Sequence, residues 1–199
     1  MYEVFINHHS LLISNYQEKE ANFSFHFDES FSWSQLFDFS NDKKSLKFCV
    51  YAENFEAIWS SFKLNYVFIM AAGGLVTNKS LFLMIHRNGK WDLPKGKLET
   101  GEKIDVCAKR EVQEECGLND LMIKNKLLNT YHTYEHNGQS ILKETHWYLM
   151  TSSQISDLSP QVEEGIDKVL WVNEDDIEAL LKNSYGNIKR VFESYKSLK

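Results

Sequence analysis

The residues best able to do chemistry lie between Gly96 and Leu118, in the run GKLETGEKIDVCAKREVQEECGL. Four glutamates (Glu102, Glu111, Glu114 and Glu115) stand at fixed offsets between two glycines, with Arg110 directly before the last three. Ile104, Cys107, Ala108 and Val112 recur at helical spacing, so the run from Ile104 onward predicts an amphipathic helix. With Ile104 set to zero and about 100° per residue, Ala108 falls near about 40°, Val112 near about 80° and Cys107 near about 300°. Glu115 then lies at about 20°, Glu111 at about 340° and Glu114 at about 280°, which places all three carboxylates on the stripe expected to bury. Carboxylates crowded on a half-buried stripe repel one another and tend to protonate unless a cation is held among them. Oxygen donors without a CxxC pair or paired histidines suit magnesium or manganese rather than zinc. A solvated acidic surface helix is the plain alternative, and the angular placement argues against it.

The loop before this helix, Trp91-Asp92-Leu93-Pro94-Lys95-Gly96-Lys97, adds a second clue. Pro94 stiffens it, and Gly96, lacking a Cβ, lets the backbone approach a neighbouring group closely. Lys95 and Lys97 flank that glycine. Beside a metal-loaded acidic helix, two lysines would make a phosphate site.

The full pattern runs Gly96, Glu102, Arg110, Glu111, Val112, Glu114, Glu115, Gly117 and Leu118. It resembles the signature of the Nudix hydrolases, without departure. The resemblance implies that Glu111, Glu114 and Glu115 bind Mg2+ or Mn2+, with Glu111 also a candidate base. Arg110 would orient the glutamates, and Glu102 would pair with Arg110 or hold a metal through water. The implied reaction is attack of water on a phosphorus of a nucleoside diphosphate linked to a further group. Such enzymes often add a carboxylate from a loop beyond the signature. Glu164 is the favoured candidate here, with Glu163 and Glu144 as alternatives. The stretch WDLPKGKLETGE looks most like members that cleave dinucleoside polyphosphates, with nucleoside triphosphates second. Messenger-RNA decapping members share a similar Pro-Lys-Gly-Lys segment, but the basic surface and helical N-terminal domain they would need are not seen. The rival reading is a Nudix-fold module that senses nucleotides without turnover, and the intact signature argues against it.

The elements that must position these residues are legible in outline. Tyr66–Val76 reads as an apolar strand with a bend or bulge at Gly73-Gly74. Ser80–Arg87 and Lys90–Leu93 flank Asn88-Gly89, and Lys126–His136 and Gln139–Thr151 flank Asn137-Gly138; both dipeptides are strong hairpin signals. Lys168–Val172 reads as a last strand, and Asp175–Lys182 and Tyr185–Ser197 as amphipathic helices. Strands around one central helix with further helices at the end suggest an α/β/α sandwich with a mixed sheet. A two-residue turn at Asn137-Gly138 would set His132 opposite Lys143 and Tyr134 opposite Ile141. His132, Tyr134 and Lys143 would then share a face able to read a base and a phosphate, unless it is simply a solvated sheet face. Arg87 ends a strand where an arginine often meets substrate in relatives of this family, although a turn-end arginine is more commonly solvated.

Residues 1–63 read as a small α/β unit of their own, and residues 64–199 as the catalytic domain. The first contains strands at Tyr2–Ile6, Leu11–Ser14 and Ser45–Tyr51, and helical stretches at Ser34–Phe37 and Phe55–Lys63. Its aromatic content is too high for a disordered tail, and it is expected to dock either on its own catalytic domain or across a homodimer, with the homodimer slightly favoured. Across all 199 residues, 43% are hydrophobic and the net charge is −6. That balance excludes a general nucleic-acid or membrane-surface binder while allowing a phosphorylated substrate. The start, MYEVFINHHSLLIS, lacks the basic flank of a signal peptide. Three cysteines without a CxxC pair fit a reducing compartment, so a cytoplasmic protein is expected.

Overall fold

The computed structural model describes residues 1–37 and 44–198. In chain order the elements are β1 (Tyr2–Ile6), β2 (His9–Ser14), β3 (Phe23–His26), α1 (Ser34–Phe37), β4 (Lys47–Tyr51) and α2 (Phe55–Lys63). Then come β5 (Val67–Asn78), β6 (Leu81–Arg87), β7 (Lys90–Asp92), β8 (Lys95–Lys97), α3 (Ile104–Cys116), β9 (Met122–His136) and β10 (Gln139–Thr151). A single 3-10 turn at Val162–Glu164 precedes β11 (Ile166–Asn173), α4 (Glu174–Leu181) and α5 (Gly186–Lys196). None of the described helices is long and apolar enough to cross a membrane.

The chain forms two compact units, Met1–Ile69 with Tyr131–Lys143, and Met70–Thr130 with Glu144–Lys199. In the first, β1 and β2 pair antiparallel around a turn at Asn7-His8, where Asn7 takes φ 55°. β2 and β3 each run parallel to β4, and β1 runs parallel to β9 over Val4–Ile6 and Tyr131–Thr133. The Asn54 side chain caps α2 by accepting the Ala57 N–H at 3.2 Å. This helix buries Ile58, Trp59 and Phe62 in a core with Val4, Leu11, Ile13, Phe48, Val50 and Leu142. The tip of the β9–β10 hairpin therefore belongs to this unit, because Leu142 and Tyr131 pack in its core. A linear cut near residue 63 misses that segment. The sequence pattern also misses β3, a four-residue strand whose parallel pairing carries no turn signal.

The second unit is built on the strand order β11-β6-β5-β10-β9, with β7 on β6 and β8 on β5. Alternate residues of each strand feed two cores, as the period of two requires. Ala72, Val76, Leu83, Ile85, Tyr148, Met150 and Val169 pack with Cys107, Ala108 and Val112 of α3. Leu75, Phe82, Met84 and Trp147 pack with Ile177 of α4 and Ile188, Val191 and Phe192 of α5. Helices thus cover both faces of the sheet, the expected α/β/α sandwich. The Asn88-Gly89 and Asn137-Gly138 turns both have two positive φ angles, 52° and 77°, then 49° and 73°, as tight two-residue hairpins demand. β5 runs through Gly73-Gly74 as one strand rather than breaking there. What the glycines provide is room: a Cβ on Gly74 would press on Val112 and Met150 at 3.0 Å, and one on Gly73 would collide with the Pro94 carbonyl. The strand β8, absent from the sequence reading, pairs Lys95–Lys97 with Ala71–Gly73.

Candidate active site

Helix α3 buries Cys107, Ala108, Glu111, Val112, Glu115 and Cys116. Glu115 is 1% exposed and Glu111 9%, so two glutamates do sit where periodicity would call for leucine. Glu114 does not. Its side chain is 48% exposed, and it is the outermost position of the calculated stripe.

The carboxylates are held by specific partners. A Cβ on Gly96 would overlap the Glu111 carboxylate, so this glycine is the opening in β8 that Glu111 fills. Glu115 Oε2 accepts the Lys95 N–H at 2.8 Å. Arg110 gathers the rest: Nε and Nη2 donate to the two oxygens of Glu102 at 2.8 and 2.9 Å, and Nη1 donates to Glu111 at 2.7 Å and Glu114 at 2.9 Å. Nη2 also donates to the Lys97 carbonyl at 3.1 Å, which ties α3 to β8. The bidentate bond from Arg110 holds the Glu102 carboxyl down at about 2 and raises the guanidinium's own pKa. Glu115 goes the other way. Burial pushes its carboxyl up to about 7, against the pull of the Lys95 charge, the Lys95 N–H and Arg87.

The expectation about Lys95 needs correction. The Lys95 side chain does not face a ligand: it is 7% exposed, with Nζ 2.5 Å from Asp92 Oδ2. Pairing of β8 with β5 turns this side chain inward, where only a partnered charge is tolerated. Its service to the site is the main-chain N–H on Glu115. Asp92, which neutralises it, was not singled out, although an acid three residues before a lysine across Pro94 was a readable signal. Lys97 is exposed and offers its ammonium to solvent.

Among the candidates outside the helix, Glu164 is linked to the signature glutamates through Arg87. Arg87 Nη2 donates to Glu164 Oε2 at 2.7 Å, while its Nη1 lies 3.5 Å from Glu115 Oε1. Glu163 is exposed. Glu144 accepts from Asn129 Nδ2 at 2.7 Å and lies 3.4 Å from His146. The His132 and Tyr134 rings stack at 5.7 Å and 27°, so these two share a face, and Lys143 is half-buried; all three belong to the first compact unit.

Among the described residues, no three acidic, histidine or cysteine side chains converge as a ready metal cage. The box carboxylates converge instead on the Arg110 and Arg87 guanidinium groups. The donor set nonetheless fits a hard divalent cation: the donors are all oxygens, Glu111 and Glu115 are one helical turn apart on one face, and Gly96 keeps Cβ bulk away from Glu111.

A family model of the NUDIX domain matches residues 67–194, and the chain belongs to the Nudix family. Over 94 residues it is 33% identical to an 8-oxo-(d)GTP phosphatase of Mycolicibacterium smegmatis, covering 46% of this chain and 27% of that protein. The chain thus spans about a quarter of the length of that curated relative. Its fold is similar to that of a Nudix hydrolase from Nitrosomonas europaea, with TM-score 0.53 and 23% identity over 66% of this chain and 90% of the other. It is also similar to a C. elegans Ap4A hydrolase solved as a binary complex, with TM-score 0.50 and 20% identity over 65% and 96% of the two chains.

Proposed function

We propose that this chain is a divalent-metal-dependent pyrophosphohydrolase of nucleoside diphosphate derivatives, with dinucleoside polyphosphates the first substrate class and nucleoside triphosphates the second. The observation that carries this reading is the pair of buried carboxylates, Glu111 and Glu115, fitted against Gly96 and the Lys95 N–H on one face of α3. Glu111, Glu114, Glu115 and Glu164 would hold Mg2+ or Mn2+, which supplies charge neutralisation at the phosphate oxygens and a more acidic water.

The chain's own groups account for the rest. Arg110 fixes the Glu111 carboxylate through Oε1, so that carboxylate is oriented to take the proton of the attacking water. The water oxygen bonds to phosphorus, the anhydride P–O bond breaks, and the proton passes to Glu111. Glu102, kept ionised by Arg110, serves to hold Arg110 in place. Lys97 is assigned to the outer phosphates. The 8-oxo-(d)GTP phosphatase and Ap4A hydrolase likenesses support a nucleotide polyphosphate, and the WDLPKGKLETGE stretch supports the ranking of the two classes. The first unit is assigned to a homodimer contact.

The test is a panel of dinucleoside polyphosphates and nucleoside triphosphates, 8-oxo-dGTP included, with and without Mg2+ and with product identification. Metal-dependent cleavage of an anhydride bond is expected. Nucleotide binding without turnover would instead establish the sensing module.

A further inference from the structure

The Arg87 fork is shared by two carboxylates that arrive from separate segments, Glu115 on α3 and Glu164 on the 3-10 turn. Each is carried by a segment with contacts of its own. Glu115 is buried on its helix, and its other oxygen accepts the Lys95 N–H. Glu164 is carried by a loop tied to the end of α3 through the main chain. The Ser159 N–H donates to the Cys116 carbonyl at 3.0 Å and the Gln161 N–H to the Glu115 carbonyl at 3.3 Å. The Gly165 N–H then closes the turn on the Val162 carbonyl at 2.9 Å, and Ile166 pairs with Arg87 in the ladder of β11 and β6. Gly117 makes this docking possible, since a Cβ there would press on the Ser159 nitrogen at 2.9 Å.

A guanidinium laid between two scaffolded carboxylates supplies the charge balance that a divalent cation would supply to the same oxygens. We infer that Arg87 is a built-in competitor for that cation, a positioning residue that keeps Glu115 and Glu164 paired and lowers the cation's affinity. The inference rests on the reading above that these two glutamates hold a divalent metal. Loading the site takes both carboxylates from Arg87. The displaced guanidinium, rooted at the end of β6 beside the Asn88-Gly89 turn, is then available to phosphate oxygens. Removing its charge would leave the two carboxylates without the guanidinium that joins them. The metal-free protein should then lose stability while its affinity for a divalent cation rises. A merely structural ion pair predicts no gain in affinity, and a residue that only contacts substrate predicts no change without nucleotide.

The experiment is Mn2+ titration of the full chain after EDTA treatment, without nucleotide, by calorimetry and by electron paramagnetic resonance. Arg87→Gln should tighten Mn2+ binding by about tenfold, and Glu164→Gln should weaken it by about tenfold, the scale of removing one charge at a partly exposed site. Arg87→Lys, which keeps a point charge but loses the fork, should tighten binding by a smaller factor, and it decides the matter if Arg87→Gln does not fold. In EDTA, Arg87→Gln should melt below the wild type, with a larger rise on adding Mn2+. Binding that is unchanged or weakened in both Arg87 variants overturns this inference and leaves the metal reading intact. No Mn2+ binding by the wild type or by any variant overturns both.

Discussion

The molecule has two guanidinium clusters around its glutamates, and they are assembled in opposite ways. Arg110 draws its partners from one stretch: Glu102, Glu111 and Glu114 lie within nine residues of it, and the Lys97 carbonyl closes the set. Arg87 draws Glu115 from 28 residues away and Glu164 from 77. The first cluster is fixed by the pitch of one helix and the loop feeding it, so its geometry survives changes elsewhere. The second exists only if β6, α3 and the turn before β11 all dock correctly. Local clusters of this kind serve chemistry that must not drift. Clusters built across the fold can open without unfolding it, because each carboxylate keeps its own scaffold.

Glutamate removal tests both clusters most severely, Glu115 in the one built across the fold and Glu111 in the local one. Glu111→Gln or Glu115→Gln should lower kcat by at least ~10²-fold in a folded protein, the scale of lost base or metal chemistry. Unchanged turnover with metal present would dissolve the catalytic assignment. A Cβ placed at residue 96 attacks the local cluster from the strand side. Gly96→Ala must displace the Glu111 carboxylate and should cost about 10²-fold in kcat, with circular dichroism showing the fold intact. Activity near wild type would mean that Glu111 tolerates a different seat.

The lysines separate structure from chemistry. Lys95→Ala leaves Asp92 buried and unpaired, so a loss of about 3–5 kcal/mol is expected in chemical denaturation. Lys97→Ala should leave stability alone and raise KM, more so for longer phosphate chains. Equal effects of Lys97→Ala on all chain lengths would make Lys97 a solvated loop residue.

The smallest expected effect concerns the loop that brings Glu164 to Arg87. Asp120 anchors its start by accepting from the Ser152 and Ser153 hydroxyls and the Ser153 N–H. The Ser152 bond, the largest cause, helps hold its carboxyl down at about 2. A carboxyl whose folded value lies below its unfolded one stabilises above the unfolded pKa of 3.8 and loses that contribution as pH falls toward about 2. Asp120→Asn should therefore cost under about 1 kcal/mol near neutrality, because the group is exposed. The gap between mutant and wild type should close in melts carried down to pH 2. A gap that persists there would show that the bonds, not the charge, matter.

The sequence by itself determined the acidic helix and both Asn-Gly hairpins. Each of these follows from a period or a spacing within about twenty residues, where backbone geometry leaves few choices. Its angular reading placed Glu111 and Glu115 in the interior and erred on Glu114, since a wheel gives directions but not how far the neighbouring strands extend. Only the tertiary structure decided that Lys95 turns inward to Asp92, that residues 131–143 belong with the first unit, and that Arg87 joins Glu115 to Glu164. Those outcomes depend on which segments dock side by side, and the energies that decide docking, burial and charge pairing among groups distant in the chain, leave no local period to read.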